Sequence, residues 1–345
     1  MMTIRVGIIN VTGFAGLEAA RLLNVHPEAE LVAVTGRSLA GQYLGEAFPH
    51  LNAVFGKTKI TETIDVDLDV VLSALPTTES AELCAPFFNA GTKVIDIAAD
   101  FRIKDAAEYQ TWFGKEHPYP EILSEAVYGL PELNAEKIKT AQLIANPGCY
   151  PTAAILALAP AVTNGIISNS IIVDAKSGIS GAGRGTGGGY SYSEVNEDVS
   201  AYRIGKHNHQ PEIRQELSAL TQGNLSDLHI SFVPHLVPMT RGIHATCYAP
   251  LTSPITQEEL NDLYNSFYEK APFTHTTNTP PHTKTTLGSN LCLVHPVLDE
   301  RNGMLIVSSV LDNLVKGAAG QAIENLNLLF DLPQTSGLPN ISVWP

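Results

Sequence analysis

Positive charge is scarce in this chain of 345 residues. Lys and Arg number 21 against 35 Asp and Glu, for a formal net charge of −14. That balance argues against nucleic acid as a partner. It says little about small anionic ligands, which local basic groups bind. No uninterrupted apolar run is long enough to span a bilayer, so no membrane association is expected. Cysteines are few (Cys84, Cys149, Cys247 and Cys292) and none is spaced as CxxC. An even count permits two disulfides, but a cytosolic chain of this size rarely needs them. Cys84, Cys247 and Cys292 lie in apolar runs and read as core. The N-terminus runs directly into a strand pattern without a signal-peptide cleavage pattern, so a cytoplasmic location is expected. There is no internal repeat, low-complexity segment or Pro/Ser-rich linker. Hydrophobic content of 44% and charged content of 16% suit an ordinary globular enzyme with room for two domains.

The first part of the chain alternates strand and helix. Strands are expected at 5–9, 31–34, 69–75 and 94–98, and helices at 17–26 and 79–89, the second ending at Gly91. Short continuous apolar strands between helices imply a parallel sheet covered on both faces. After Cys149 the texture changes. A strand at 171–175 enters a glycine-rich loop, Ser177 to Gly189, and later strands at 229–237, 243–249, 291–297 and 304–310 come close together. The last two are joined by the turn 299–303. Thr256 and Glu259 form a capping box for a helix at 257–270. A final helix, Asn313 to Phe330, carries Leu314, Ala318, Ala322, Leu326 and Leu329 on one side and is expected to return to the first domain. The expected fold is α/β, an N-terminal Rossmann-type dinucleotide-binding domain (1–148, with 314–345 packing back) followed by a mixed α+β catalytic and dimerisation domain (149–313).

The most informative stretch is Asn146-Pro147-Gly148-Cys149-Tyr150-Pro151-Thr152, between an apolar strand and an apolar helix. Pro151 suits a first helical turn. Cys149 is therefore expected at a helix N-terminus, where unpaired N–H groups and the helix dipole stabilise an anion. A thiol so placed ionises near neutral pH, and the thiolate is the nucleophile. The alternative is a buried structural cysteine.

Strand one feeds Asn10-Val11-Thr12-Gly13-Phe14-Ala15-Gly16. Gly13 lets backbone approach a pyrophosphate, and Gly16 lets helix and strand pack closely. The first glycine of GxGxxG is missing, but the placement between a strand and a helix supports the reading. An NAD enzyme offers an acid about twenty residues further on. Here the sequence is Thr35-Gly36-Arg37-Ser38. An arginine and a hydroxyl suit a 2′-phosphate, which favours NADP(H), unless Arg37 is an ordinary solvated charge.

His207-Asn208-His209-Gln210-Pro211-Glu212-Ile213 precedes an amphipathic helix. Either histidine could serve as acid/base beside a thiolate. A metal would need further ligands that the sequence does not offer, so none is expected.

With these motifs in order, the chain resembles the N-acetyl-γ-glutamyl-phosphate reductases, arginine-biosynthesis enzymes related to aspartate-semialdehyde dehydrogenase. The resemblance covers nearly the whole length. Its other carriers are Ala99-Asp100-Phe101-Arg102, Tyr128-Gly129-Leu130-Pro131-Glu132, Ser177 to Arg184, Pro238-Met239-Thr240-Arg241-Gly242 and Asp312-Asn313-Leu314-Val315-Lys316-Gly317. Two positions depart from the family. Asn10 stands where Gly is usual, and Asn tolerates left-handed backbone. Thr77-Thr78 follow Pro76 where His-Gly is frequent.

The resemblance implies NADPH-dependent reduction of an acyl phosphate to a semialdehyde through a Cys149 thioester. A histidine then exchanges the proton at the oxygen; His209 is preferred because it lies next to the helix that Pro211 begins, with His207 the close second. Thr12, Gly13, Phe14, Ala15, Gly16, Arg37, Ser38, Pro76, Ser177, Gly178 and Asn313 are the expected cofactor contacts. Arg102 and Arg241 are candidate anchors for the substrate's carboxylate and phosphate, and Arg184 a weaker one. The resemblance further implies a homodimer or homotetramer. Rival readings are reduction of aspartyl phosphate or a carrier-bound aminoadipyl phosphate, a dinucleotide-binding protein without catalysis, and a cysteine hydrolase.

Overall fold

A computed structural model describes residues 3–185, 189–221 and 227–344. The chain divides into two compact units. Unit 1 comprises Met1–Pro147 and Ala318–Leu338, and unit 2 comprises Gly148–Gly317 and Pro339–Pro345. Residues 314–345 were all expected with the first domain. In the structure, those up to Gly317 and from Pro339 onward group with the second. Backbone bonds from Asn290 to the Pro339 carbonyl and from Val343 to the Leu287 carbonyl fasten that last segment.

Unit 1 is built on seven strands: β1 (Ile4–Ile9), β2 (Ala29–Thr35), β3 (Ile60–Thr61), β4 (Val70–Ser73), β5 (Lys93–Asp96), β6 (Val127–Tyr128) and β7 (Leu143–Ala145). All neighbours are parallel, in the order β3-β2-β1-β4-β5-β7-β6. The order reverses between β1 and β4, so the loops leaving their carboxyl ends flank a topological switch point, where such sheets bind ligands. Helices α1 (Phe14–Leu23), α2 (Leu44–Ala47), α3 (Asn52–Phe55), α4 (Ser80–Asn89), α5 (Ala106–Phe113), α6 (Pro120–Glu125) and α7 (Pro131–Thr140) connect the strands. The core is apolar, with Val71, Leu75, Cys84, Val94, Phe101, Leu123 and Leu143 in one cluster.

Unit 2 opens with α8 (Cys149–Thr163), which is buried from Tyr150 to Val162. Its sheet contains β8 (Ser170–Ser177), β9 (Ser200–Ala201), β10 (His229–Leu236), β11 (Ile243–Pro250), β12 (Thr274–Thr276), β13 (Cys292–Asp299) and β14 (Met304–Leu311). The order is β12-β13-β14-β11-β8-β10-β9, and the pairing is mixed. Helix α9 (Tyr192–Val195) is short, α10 (His209–Leu220) packs on α8, and α11 (Gln257–Tyr268) starts at the Thr256–Glu259 capping box. Residues 186–188 of the glycine-rich loop lie outside the described residues; before them, Ile179–Ala182 form a 3₁₀ turn.

The final helix departs from expectation. Val315–Ala319 form a π-helical turn, and only Gly320–Leu329 (α12) are α-helical. Apolar residues on one side were expected to pack on the first domain, and every residue of α12 is buried, against α1 and α7. Several of its polar side chains bond within unit 1. Gln321 and Asn325 donate to the Gly129 carbonyl, and Asn327 Oδ1 meets His26 Nε2 at 2.8 Å. Buried amides need such partners, and no hydrophobic pattern reveals them.

Candidate active site

Three loops of unit 1 converge at the switch point. Asn10, after β1, adopts φ 62°, donates from Nδ2 to the Ala74 carbonyl at 2.8 Å, and takes the Thr12 hydroxyl on Oδ1 at 3.0 Å. The backbone N–H of Val11 bonds the Thr35 carbonyl at the end of β2. Thr12 also lies against Gly36, where a Cβ would come within 2.6 Å of Thr12 Cγ2. Gly13 is the N-cap of α1 and supplies no side-chain cap. A Cβ there would meet nothing nearer than 3.8 Å, so the helix start keeps an open approach for a phosphate. At Gly16 a Cβ would press within 2.7 Å of the Asn10 carbonyl oxygen and Val11 Cα, so glycine is what lets helix and strand meet.

Arg37 and Ser38 are exposed beyond β2. The Arg37 side chain is 70% exposed and pairs with Glu79 at 2.6 Å, which holds a cation over the loop after β4. Pro76 is exposed in that loop. Asp100 organises its remainder, accepting the N–H groups of Thr78 at 2.6 Å, Ser80 at 2.9 Å and Ala81 at 3.0 Å. Thr78 has φ 70°, the left-handed region that β-branched residues avoid. This position therefore holds positive φ, and the Asp100 bond sustains it. Beneath, the Ser80 hydroxyl donates to Asp96, whose buried carboxyl is raised above the usual range by burial and by Asp100. An uncapped helix start, an open glycine and an outlying arginine fit a dinucleotide phosphate.

Arg102, a candidate anchor for a substrate anion, is bonded to backbone. It is 6% exposed. Its Nε donates to the Asn146 carbonyl and an Nη to the Ile97 carbonyl, both at 2.8 Å. In unit 1 it positions backbone.

In unit 2, Cys149 is the first residue of α8 and Pro151 lies in the first turn, with Gly148 as N-cap. Cys149 is the half-buried cysteine, whereas Cys84, Cys247 and Cys292 are fully buried and none of the four is in a disulfide. Burial pushes the Cys84 thiol up, and pushes Cys247 up to about 12, which keeps both protonated. The Gly148 N–H donates to Glu212 Oε1 at 2.8 Å, and Glu212 is 1% exposed. Glu212 belongs to α10, the helix that begins at His209. That helix starts two residues earlier than Pro211, because proline is tolerated inside a first turn.

The two histidines are now distinguishable. His207 is buried, and its Nδ1 accepts the His209 backbone N–H at 3.1 Å. Burial, assisted by the Arg203 charge, pushes its pKa down to about 4. His209 is half-buried, with its ring 5.9 Å from Tyr150, the residue after Cys149. Tyr150, Tyr202 and Phe232 surround the pair at ring separations of 5.3–6.0 Å. Tyr150 donates its hydroxyl to the His235 carbonyl at 3.0 Å and receives that of Tyr202 at 3.3 Å. Sequence reasoning assigned no role to Glu212 or Tyr150, although both lie inside quoted motifs.

Ser177 and Asn313 are buried, and they fasten loops together. The Ser177 hydroxyl donates to the Gly178 carbonyl at 2.9 Å. Asn313 accepts from the Gly242 N–H at 2.7 Å and donates to the Ser180 hydroxyl at 2.9 Å. Gly178 lies so close to the Thr240–Arg241 peptide that a Cβ would come within 2.7 Å of it. Arg241 is half-buried, with Nη1 3.6 Å from Asp312 Oδ2. Arg184 is exposed. Among the described residues no group of three or more His, Cys, Asp or Glu is arranged to hold a metal.

The chain matches known proteins over its full length. A family described as "Semialdehyde dehydrogenase, NAD binding domain" matches residues 5–141. One described as "Semialdehyde dehydrogenase, dimerisation domain" matches 149–313. A Dehalococcoides mccartyi protein named N-acetyl-gamma-glutamyl-phosphate reductase is 52% identical over the whole of both chains. One of the same name from Symbiobacterium thermophilum is 48% identical, again over both chains. The aspartate semialdehyde dehydrogenase II of Vibrio cholerae shares the fold, with a TM-score of 0.71 at 16% identity over 96% of this chain and 99% of that one. The Candida albicans aspartate semialdehyde dehydrogenase solved with NADP gives 0.71 at 17% identity, over 95% and 98%. Full-length identity at this level, carried through both domains and their motifs, makes the chain a member of the N-acetyl-γ-glutamyl-phosphate reductase family.

Proposed function

We propose that this enzyme reduces N-acetyl-γ-glutamyl phosphate to N-acetyl-glutamate semialdehyde and phosphate, using NADPH. The observation that carries the mechanism is Cys149 as first residue of α8, with the His209 helix tied to the same turn through Glu212. The Cys149 thiolate is stabilised at the helix start and adds to the acyl carbon. A C–S bond forms, the bond to the phosphate oxygen breaks, and phosphate leaves a Cys149 thioester. When bound, NADPH supplies the hydride that reduces this thioester. Backbone N–H groups of the first α8 turn hold the developing oxyanion. His209 exchanges the proton at that oxygen as the C–S bond breaks, the aldehyde leaves and the Cys149 thiolate is restored. His207, neutral at working pH, orients His209 by accepting its backbone N–H.

Gly13 and the uncapped start of α1 hold the pyrophosphate, with Thr12, Phe14, Ala15 and Gly16 forming the turn, and Arg37 and Ser38 take the 2′-phosphate. Arg241 anchors a substrate anion. We further propose a homo-oligomer located in the cytoplasm. Ile172, Tyr248, Ile306 and Val297 form one row across the sheet of unit 2. Ile172 is 47% and Val297 36% exposed, and such a row suits a second copy of the chain.

The test is the reverse reaction. N-acetyl-glutamate semialdehyde, phosphate and NADP⁺ are mixed with wild type, Cys149→Ser and Arg37→Ala, with aspartate semialdehyde in parallel. Phosphate-dependent NADP⁺ reduction is expected with wild type and absent with Cys149→Ser. Arg37→Ala is expected to raise the KM for NADP⁺ about 10-fold and leave that for NAD⁺ within about 2-fold. Preference for aspartate semialdehyde would overturn the substrate assignment.

A further inference from the structure

Asp312 is fully buried, and both of its carboxylate oxygens are engaged within unit 2. Oδ1 accepts the N–H groups of Leu314 at 2.9 Å and Val315 at 3.3 Å, which starts the tight turn after β14. Oδ2 accepts the Gly288 N–H at 2.7 Å and faces Arg241 Nη1 at 3.6 Å. The turn closes when the Gly317 N–H bonds the Asp312 carbonyl at 2.9 Å. Gly317 then lies against the nucleophile. A Cβ built there would come within 2.9 Å of Cys149 Cβ, 3.2 Å of Leu311 Cδ1 and 3.3 Å of the Asp312 carbonyl oxygen. Real Cβ atoms essentially never approach so closely, so the bare Gly317 Cα forms the wall behind the Cys149 side chain.

The backbone of Arg241 is fixed independently. Gly178, Ile179 and Ser180 donate to the carbonyls of Gly242, Met239 and Thr240, and Gly242 donates to Asn313. The loop is therefore held by its main chain, and the guanidinium faces Asp312. One charge thus reaches two places that the reaction needs together, the anion anchor and the thiol's backing.

We propose that Asp312 is a positioning residue that sets Arg241 for the substrate anion and, through the turn ending at Gly317, sets the Cys149 thiol. This rests on the reading of Cys149 as nucleophile and Arg241 as anchor. A buried carboxylate is suited to the task because a charge-assisted contact orients a guanidinium more firmly than a neutral one. The same carboxylate accepts the turn amides that would otherwise be buried without partners.

Asp312→Asn keeps shape and removes charge. The full-length enzyme is assayed in the reverse direction as wild type, Asp312→Asn, Arg241→Ala and the double variant. Alkylation of Cys149 by iodoacetamide is followed from pH 5 to 9 in wild type, Asp312→Asn and Gly317→Ala. Asp312→Asn is expected to raise the KM for the semialdehyde about 10-fold, with the KM for NADP⁺ within about 2-fold. The KM for the semialdehyde in the double variant should be no higher than in Arg241→Ala, because two residues acting on the substrate anion through one contact are not additive. The alkylation profile should change in both Asp312→Asn and Gly317→Ala. A KM unchanged by Asp312→Asn while Arg241→Ala raises it, or single effects on KM that multiply in the double variant, overturns the proposal and leaves the function intact. No effect of Arg241→Ala on KM, in an active enzyme, refutes the anchor itself and the proposal with it. If wild type is inactive the functional reading falls, and alkylation unaltered in both variants still decides against Asp312. Should Asp312→Asn not fold, Asp312→Ser is read in its place, since its hydroxyl can accept the turn amides but carries no charge for Arg241.

Discussion

Replacing His207 by Asn should make the enzyme more tolerant of acid while leaving its chemistry in place. His207 Nδ1 is an acceptor, bound by the His209 N–H at 3.1 Å, so the neutral ring carries its proton on Nε2. Protonation would set two N–H groups against each other inside a shell formed by Tyr150, Tyr202 and Phe232. The pKa accordingly falls from 6.5 in the unfolded chain to about 4 in the fold, through burial and the Arg203 charge. A folded pKa below the unfolded one means that the unfolded state binds the proton more readily. Stability from this group is present above pH 6.5 and is lost as pH falls from there toward 4. Linkage gives a loss of about 2 kcal/mol at pH 5 and about 3 kcal/mol at pH 4. An Asn side chain at 207 can still accept the His209 N–H and does not titrate. Urea unfolding of wild type and His207→Asn at pH 7.5, 6, 5 and 4.5 isolates the difference, because other titrating groups are common to both. The variant is expected to start less stable, from lost ring packing, and to lose about 2 kcal/mol less on going to pH 5. Its kcat should stay within about 10-fold of wild type, while His209→Asn should lose about 10²-fold or more. Parallel pH curves, or a larger kcat loss at 207 than at 209, would refute the reasoning.

Two further outcomes follow from the same geometry. Thr78→Asn should raise stability by about 1 kcal/mol, because Asn tolerates the left-handed backbone that Thr78 now holds at φ 70°; a fall in the thermal midpoint would show that Thr78 is not strained. Glu212→Ala should cost about 2–3 kcal/mol, since it strands the buried Gly148 N–H, and Glu212→Gln about 1 kcal/mol, since its amide oxygen can still accept. Urea unfolding that puts Gln below Ala would contradict the capping role.

The two halves of the chain were unequally legible. The parallel sheet of unit 1 could be read where the strands are short apolar runs followed by helices, as at β1, β4 and β7. The segment 106–140 hid three helices and the short edge strand β6, whose few residues carry too little periodicity. Cys149 was legible because its turn and helix start are local chemistry. Gly317 was quoted in a motif, yet its reason is a contact with Cys149 across 168 positions of sequence, and no local signal carries that.

The local chemistry of the sequence determined the βα alternation, the glycine turn with its outlying Arg37, and the cysteine at the head of an apolar helix. Each depends on neighbours within a few residues, where propensity, capping and turn geometry act. Only the tertiary structure decided which histidine is buried and which half-buried, and it bonded Arg102 to two backbone carbonyls. It also brought Asp312 against Arg241. These assignments depend on burial and on partners distant in sequence, which come into being only when the chain is packed.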